Sequence, residues 1–290
     1  MTAHGSLRFF DLPGPAEEPP LLLLHGLGAN ALGLLSLALS LDGARRCLVV
    51  DLFDFGGDSQ RTFSPFGVRP LRVVEHAETI AHLVESQGID TYDLYGVSLG
   101  AWIGLHVATL ARAPRRMLLV SPLGTRADIT TLRALARRVD EEGVDVVAER
   151  FARPSPKGRF SVARGVARLM LRAAASVGRT QEFARSLDDR DAIDDVLERI
   201  ESEVRLLAPE HDRLVGSTTS QALFERLACV SGTWALGSSH SLAVESPGLV
   251  TLALRELVDL ERTADEAPSS WARARLHVGT LPKLRPMVRS

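Results

Sequence analysis

The chain predicts an α/β fold: a mostly parallel central sheet with helices on both faces, and a helical insertion before its last strands. Three observations lead there. Short apolar runs at residues 21–24, 47–50 and 117–120 alternate with segments of helical spacing, and strands covered on both faces read as unbroken apolar runs. A strand-like run ending in Gly96-Val97-Ser98-Leu99-Gly100 passes directly into a helix-forming stretch, with the serine at the turn. Between residue 121 and about residue 202 the alternation stops, and a stretch rich in Ala and Arg at helical spacing replaces it.

Taken in order, residues 6–12 read as an edge strand closed by the turn residues Pro13-Gly14-Pro15. Leu21–Leu24 is a buried strand, followed by the loop His25-Gly26-Leu27-Gly28. Residues 47–50 make the next strand, which ends at Asp51. A helix over about residues 72–86 puts Val73, Ala77, Ile80, Ala81 and Val84 on one face and stops at Gly88. The serine-bearing strand follows, then a helix over residues 101–112 and a strand over 117–120. Pro154-Ser155-Pro156 divides the insertion. Strand character resumes at residues 204–208, with a helix near 221–227, a strand over 229–236 and a helix from about 247 to 261. Residues 263–290 carry Pro268, Pro282 and Pro286 among scattered basic residues and read as a loosely packed extension. The expected organisation is a core of residues 1–121 and 203–262, a helical lid over 122–202, and a C-terminal extension over 263–290.

Composition excludes several classes of partner. The 290 residues are 45% hydrophobic and 24% charged, ordinary for a soluble globular protein, with a net charge of −2. That balance offers no general attraction to nucleic acid or to an anionic membrane. Residues 21–41 contain no Asp, Glu, Lys or Arg, but His25, Gly26, Gly28, Asn30 and Gly33 interrupt them, so no membrane span is expected. Residues 1–20 lack a basic start followed by an apolar stretch, which predicts a cytoplasmic protein. Lys157 and Lys283 are the only lysines; with abundant alanine, this suggests a GC-rich bacterial genome. Cys47 and Cys229 each lie in an apolar strand-like run and read as reduced core residues. Neither a metal-ligand cluster nor a nucleotide-binding glycine pattern is present, so no cofactor is implied. Nothing in the pattern specifies an oligomer.

The chemistry concentrates around Ser98. A strand turning sharply into a helix exposes a serine hydroxyl at its tip, and Gly96 and Gly100 leave room for that turn. A serine hydroxyl becomes a strong nucleophile only when a base takes its proton and a third group holds the base. Of the eight histidines, His76, His82 and His106 fall within helices, and His4 and His277 lie near the termini. His240 differs, sitting in Gly237-Ser238-Ser239-His240-Ser241 directly after the last core strand, where a loop reaches the carboxyl edge of the sheet. The loop Pro209-Glu210-His211-Asp212-Arg213-Leu214-Val215 supplies the acid: Asp212 is the first choice and Glu210 the competitor. No acid is expected after the strand over 117–120, because Ser121-Pro122 follows it and the next carboxylate is Asp128. An oxyanion needs two preorganised N–H donors. Leu99, after the serine, and Leu27, between Gly26 and Gly28, are the candidates.

On these residues the chain resembles the α/β-hydrolase fold family, of the lid-bearing esterase and lactonase kind. The resemblance spans about residues 21–260. It rests on His25-Gly26-Leu27-Gly28, Gly96-Val97-Ser98-Leu99-Gly100, Glu210-His211-Asp212 and Ser238-Ser239-His240, in the chain order Ser, Asp, His. It implies a nucleophile at Ser98, an acid at Asp212, a base at His240 and oxyanion donors at Leu27 and Leu99. The implied activity is cofactor-free cleavage of a carboxylic ester, thioester or lactone of a small acyl substrate. Acyl transfer or carbon–carbon bond hydrolysis is the alternative on the same triad, and a non-catalytic ligand-binding protein of this fold is a third reading. Relatives that use aspartate as nucleophile, the haloalkane dehalogenases and epoxide hydrolases, are excluded by Ser98. One departure stands out: relatives often carry Asp-x-x-Gly-x-Gly-x-Ser after the strand ending at Asp51, where this chain has Asp54 for the first Gly and an extra Gly57 before Asp58-Ser59. In the lid region, Arg164, Arg168 and Arg172 follow i, i+4, i+8 spacing. They form a basic stripe that could attract an anionic thioester or a phosphorylated carrier such as coenzyme A or an acyl carrier protein.

Overall fold

Four leucines in a row cannot alternate between core and solvent, and Leu21–Leu24 (β3) is buried on both faces inside an eight-stranded sheet. The computed structural model describes residues 4–55, 57, 59–61, 69–143, 146, 150, 174–260 and 284–287. To one side of β3 lie Cys47–Asp51 (β4) and, at the edge, Arg8–Leu12 (β2). To the other side come Asp93–Val97 (β6), Arg116–Val120 (β7), Glu203–Pro209 (β8), Val230–Ala235 (β9) and Leu284–Pro286 (β10). The strands from β4 to β9 are parallel, with Leu21 opposite Cys47 and Asp93; only the edge strands β2 and β10 run antiparallel. Gly5–Ser6 (β1) and Gln60–Arg61 (β5) form a separate antiparallel pair.

Alternate residues of the strands feed two cores. Leu22, Leu24, Leu94 and Leu119 pack on one face against Val73–Ser86 (α2) and Leu99–Val107 (α3). Leu21, Leu23, Tyr95 and Leu118 pack on the other against Leu32–Leu39 (α1) and Pro247–Leu257 (α8). The chain leaves β3 for β4, then returns to place β6 on the opposite flank of β3. This reversal opens a crevice at the carboxyl ends of β3 and β6, where open α/β sheets bind ligands.

Between β7 and β8 the described residues form Arg126–Glu142 (α4), Ala174–Ser186 (α5) and 3-10 turns at Asp189–Asp191 and Leu197–Arg199, with no strand among them. Asp191 ties this segment to the core. Its buried carboxylate accepts from the Arg72 side chain and the Val73 N–H, while its carbonyl accepts from Trp102 Nε1 and His106 Nε2, both at 2.7 Å. Ser217–Arg226 (α6) and Leu242–Glu245 (α7) complete the helices named among the described residues. The basic stripe at Arg164, Arg168 and Arg172 and the break at Pro154-Ser155-Pro156 lie outside the described residues.

Several local expectations need correction. The helix after the serine starts at Leu99 and ends at Val107, earlier at both ends than residues 101–112, because the turn itself supplies its first residues. On α2, Ala81 is only half-buried; His76, Thr79 and Leu83 join the buried stripe in its place. Cys229 is exposed, since it precedes β9 at a strand start that faces solvent, whereas Cys47 is buried as expected. Part of the presumed loose tail is sheet. Leu284–Pro286 pairs with Thr233–Ala235 of β9, and the buried Met287 donates its N–H to Gly232 at 2.9 Å. Apolar residues that complete an edge strand leave no periodic signal when only three residues pair. Residues 261–283 lie outside the described residues.

Candidate active site

Ser98 sits at the junction of β6 and α3 with φ 53° and ψ −115°, a left-handed conformation that non-glycine residues adopt only under local constraint. The neighbouring glycines supply that constraint. A Cβ on Gly96 would stand 2.6 Å from the Gly100 carbonyl oxygen, and one on Gly100 would stand 2.2 Å from the Leu24 carbonyl oxygen. Strand, helix and the loop after β3 therefore meet with backbone against backbone. The Ser98 N–H donates to the Val120 carbonyl at 2.9 Å, and the Trp102 N–H donates to the Ser98 carbonyl at 3.0 Å, which pins the turn from both sides.

The loop after β9 carries His240 over the serine. His240 Nε2 lies 2.9 Å from Ser98 Oγ, and His240 Nδ1 lies 2.7 Å from Asp212 Oδ2. All three side chains are buried. A carboxylate can only accept, so Nδ1 carries the proton toward Asp212 and Nε2 is left to accept from the serine hydroxyl. Asp212 is fixed in turn by its own loop, because Oδ1 accepts the N–H groups of Leu214 at 2.9 Å and Val215 at 3.1 Å. Burial pushes the Asp212 carboxyl up, but the adjacent His240 and these two N–H groups outweigh it and hold the group below its ordinary value. Glu210 does not meet the imidazole. Its Oε2 accepts the Gly237 N–H at 2.7 Å and lies 3.5 Å from His211 Nε2. The acid loop and the histidine loop are also joined directly, His211 N–H donating to the Ser238 carbonyl at 2.9 Å.

Leu27 and Leu99 come to the same corner. Leu99 opens α3, so its N–H has no carbonyl one turn back. The loop after β3 closes against Ser98: a Cβ on Gly26 would lie 3.4 Å from the Ser98 Cβ. Here sequence reading missed a contributor. His25 is fully buried, accepts the Leu52 N–H at Nε2 (3.0 Å), and donates from Nδ1 to the Gly26 carbonyl (2.9 Å). The Gly26 carbonyl and the Leu27 N–H belong to one planar trans peptide and point opposite ways, so holding the first aims the second. Burial lowers the His25 pKa against the opposing effects of the Gly26 carbonyl and Asp51, which keeps the ring in this neutral, two-bond role. Its signal was a histidine closing an otherwise apolar strand.

Asp51 and Asp54 brace the segment after β4. The Asp51 carboxylate accepts the Ala31 and Ser59 N–H groups at 3.2 and 3.0 Å, and a Cβ on Gly57 would overlap it. Asp54, at the departure from the usual loop pattern, has φ 71° and a buried carboxylate that accepts from the Leu71 N–H at 2.8 Å and from Arg61 at 3.3 Å. No group of three or more His, Cys, Asp or Glu side chains able to hold a metal ion occurs among the described residues. No helix among them is long and apolar enough to cross a membrane.

Comparison with known proteins agrees with the fold. Among solved structures, an esterase from Thermogutta terrifontis superimposes with a TM-score of 0.70 at 21% identity, covering 88% of this chain and 93% of that one. An enzyme that degrades N-acyl homoserine lactones gives a TM-score of 0.71 at 16% identity, covering 87% and 99%. Over 102 residues the chain is 32% identical to the magnesium-chelatase 30 kDa subunit of Rhodobacter capsulatus. That match takes in 35% of this chain and 34% of the other, about a third of that protein's length. Residues 21–253, from the first buried strand to the last helix, match the model of the alpha/beta hydrolase family, and the chain belongs to that family.

Proposed function

We propose that the protein is a serine hydrolase that cleaves a carboxylic ester, thioester or lactone. The observation that carries this reading is the buried relay from Ser98 Oγ through His240 to Asp212, at 2.9 and 2.7 Å, on a strained turn. His240 Nε2 takes the Ser98 proton as Oγ attacks the substrate carbonyl, and Asp212 stabilises the imidazolium that forms. The carbonyl oxygen takes up negative charge and is met by the N–H groups of Leu27 and Leu99. The imidazolium then returns its proton to the departing alcohol or thiol, leaving an acyl group on Oγ. Water, deprotonated by His240, releases the acid and restores the serine. The helical insertion between β7 and β8 is the candidate lid in this reading. The esterase and the lactone-degrading enzyme named above favour the same substrate classes by fold alone.

Labelling with an alkyl fluorophosphonate, followed by peptide mass spectrometry, tests the mechanism. A single adduct on Ser98, absent after boiling, is expected. Turnover of a panel of esters, thioesters and lactones then separates the classes, and added alcohol or thiol acceptors distinguish hydrolysis from acyl transfer. A folded protein without a Ser98 adduct overturns the reading in favour of a non-catalytic binding protein.

A further inference from the structure

We infer that a cavity beneath Ser98, on the α1 and α8 side of the sheet, holds the apolar chain attached to the scissile carbonyl. The substrate is then an uncharged, medium-chain acyl ester or thioester. This rests on the reading of Ser98 as nucleophile. The cavity has a volume of about 200 Å³ and reaches both Ser98 and His240. Its walls are Val97 and Tyr95 of β6, Leu34 and Leu37 of α1, and Val250 and Thr251 of α8. Tyr95 precedes Ser98 by three residues, about 10 Å along an extended strand, and both line the cavity. Its volume is that of about seven waters, and a methylene is of similar bulk, so it accommodates a chain of about six to eight carbons.

The lining is mostly apolar, and no Asp, Glu, Lys or Arg contributes to it among the described residues. A carboxylate or phosphate pushed into it would lose its hydration without gaining a counter-charge. Each methylene buried there strengthens binding about fourfold. The acyl arm is the part of the substrate that suits such a place. It stays on the enzyme through the acyl intermediate, whereas the alcohol or thiol has to leave before water can enter.

Gly33 provides the test. It lines the cavity from the exposed side of α1, and a Cβ there meets nothing within 4 Å, so a large side chain at the cavity mouth displaces no backbone. Gly33→Phe and Leu37→Trp should fill the space, and replacing a helical glycine does not weaken the helix. With p-nitrophenyl esters of two to twelve acyl carbons, the native protein should prefer about eight. Both variants should lower the octanoate-to-acetate ratio of kcat/KM by at least tenfold. A parallel series of acetates with lengthening alcohols should not shift. An unchanged acyl ratio in both variants, or a shift confined to the alcohol series, overturns the assignment. Octanamide separates this outcome from failure of the mechanism, since its binding needs no turnover. It should raise the Tm of the native protein and not of Gly33→Phe; no stabilisation of the native protein overturns the subsite. A missing Ser98 adduct with octanamide still bound overturns the acyl role together with the mechanism.

Discussion

Ser98 Oγ and His240 Nε2 lie 2.9 Å apart although 142 residues separate them in the chain. The contact depends on two loops at the same edge of a parallel sheet. One is the turn from β6 into α3. The other follows β9 and is held by Ser239, whose N–H and hydroxyl donate to Glu245 at 2.9 and 2.6 Å. The predictions below follow from how these loops are held.

Ser98 itself is strained, and strain in a left-handed residue costs about 1–3 kcal/mol. Ser98→Gly relieves it and should raise unfolding stability by about 1 kcal/mol over Ser98→Ala, while both lose hydrolysis by several orders of magnitude. Calorimetry alongside turnover measures this trade. A Ser98→Gly protein less stable than Ser98→Ala contradicts the strain argument.

Asp212 and Glu210 make separable predictions. Asp212→Asn should misorient the imidazole and lower kcat by up to about ten-thousandfold, as for the serine protease aspartate. Glu210→Gln keeps an oxygen for the Gly237 N–H and should lower kcat by less than about tenfold. Because Asp212 is held below its ordinary pKa, its carboxylate stays charged well into the acid range. The acid limb of the rate should therefore carry no contribution from the Asp212 proton. Steady-state profiles of both variants check the assignment, and a reversed order of effects moves the acid to Glu210.

The two glycines around the turn should behave differently. In Gly100→Ala the new methyl would press on the Leu24 backbone at 2.2 Å, which has no freedom to move, so the protein should be strongly destabilised, by more than about 3 kcal/mol. In Gly26→Ala the methyl meets Ser98 Cβ at 3.4 Å, an ordinary contact, so the fold should survive. Its effect should fall on kcat, through the Leu27 N–H. Urea midpoints and kcat for the pair distinguish a packing role from a positioning one.

His76 predicts the pH dependence of stability. It is buried against Phe55, its Nε2 has no hydrogen-bond partner among the described residues, and burial, with help from His25 and Arg61, pushes its pKa down to about 3 from 6.5. Between those values the unfolded chain binds a proton that the folded one refuses. Stability is thus fully present above pH 6.5 and falls as the pH drops toward 3. His25 acts in the same direction. His76→Leu should flatten the fall in urea midpoint between pH 7 and 5, and an unchanged slope would remove His76 as its cause.

The sequence by itself determined the elements and the order in which the candidate site residues occur. Unbroken apolar runs marked β3, β4 and β7, and the glycines around Ser98 marked a turn that few other residues tolerate, because these signals are local. That Ser98, Asp212 and His240 would share one edge was legible for a related reason: each lies at or in the loop after a strand, where a parallel sheet exposes its loops. Other features depended on partners distant in sequence. Asp212 rather than Glu210 meets His240 because the loop after β8 turns Glu210 toward Gly237. The role of His25 arises only when Leu52 and Gly26 close around its ring. Leu284–Pro286 becomes a strand only by pairing with β9, and Cys229 is exposed only because β9 starts in solvent. The cavity under Ser98 belongs to no single segment. It is the space left where α1, β6 and α8 pack, and such a space follows from side-chain volumes meeting in three dimensions.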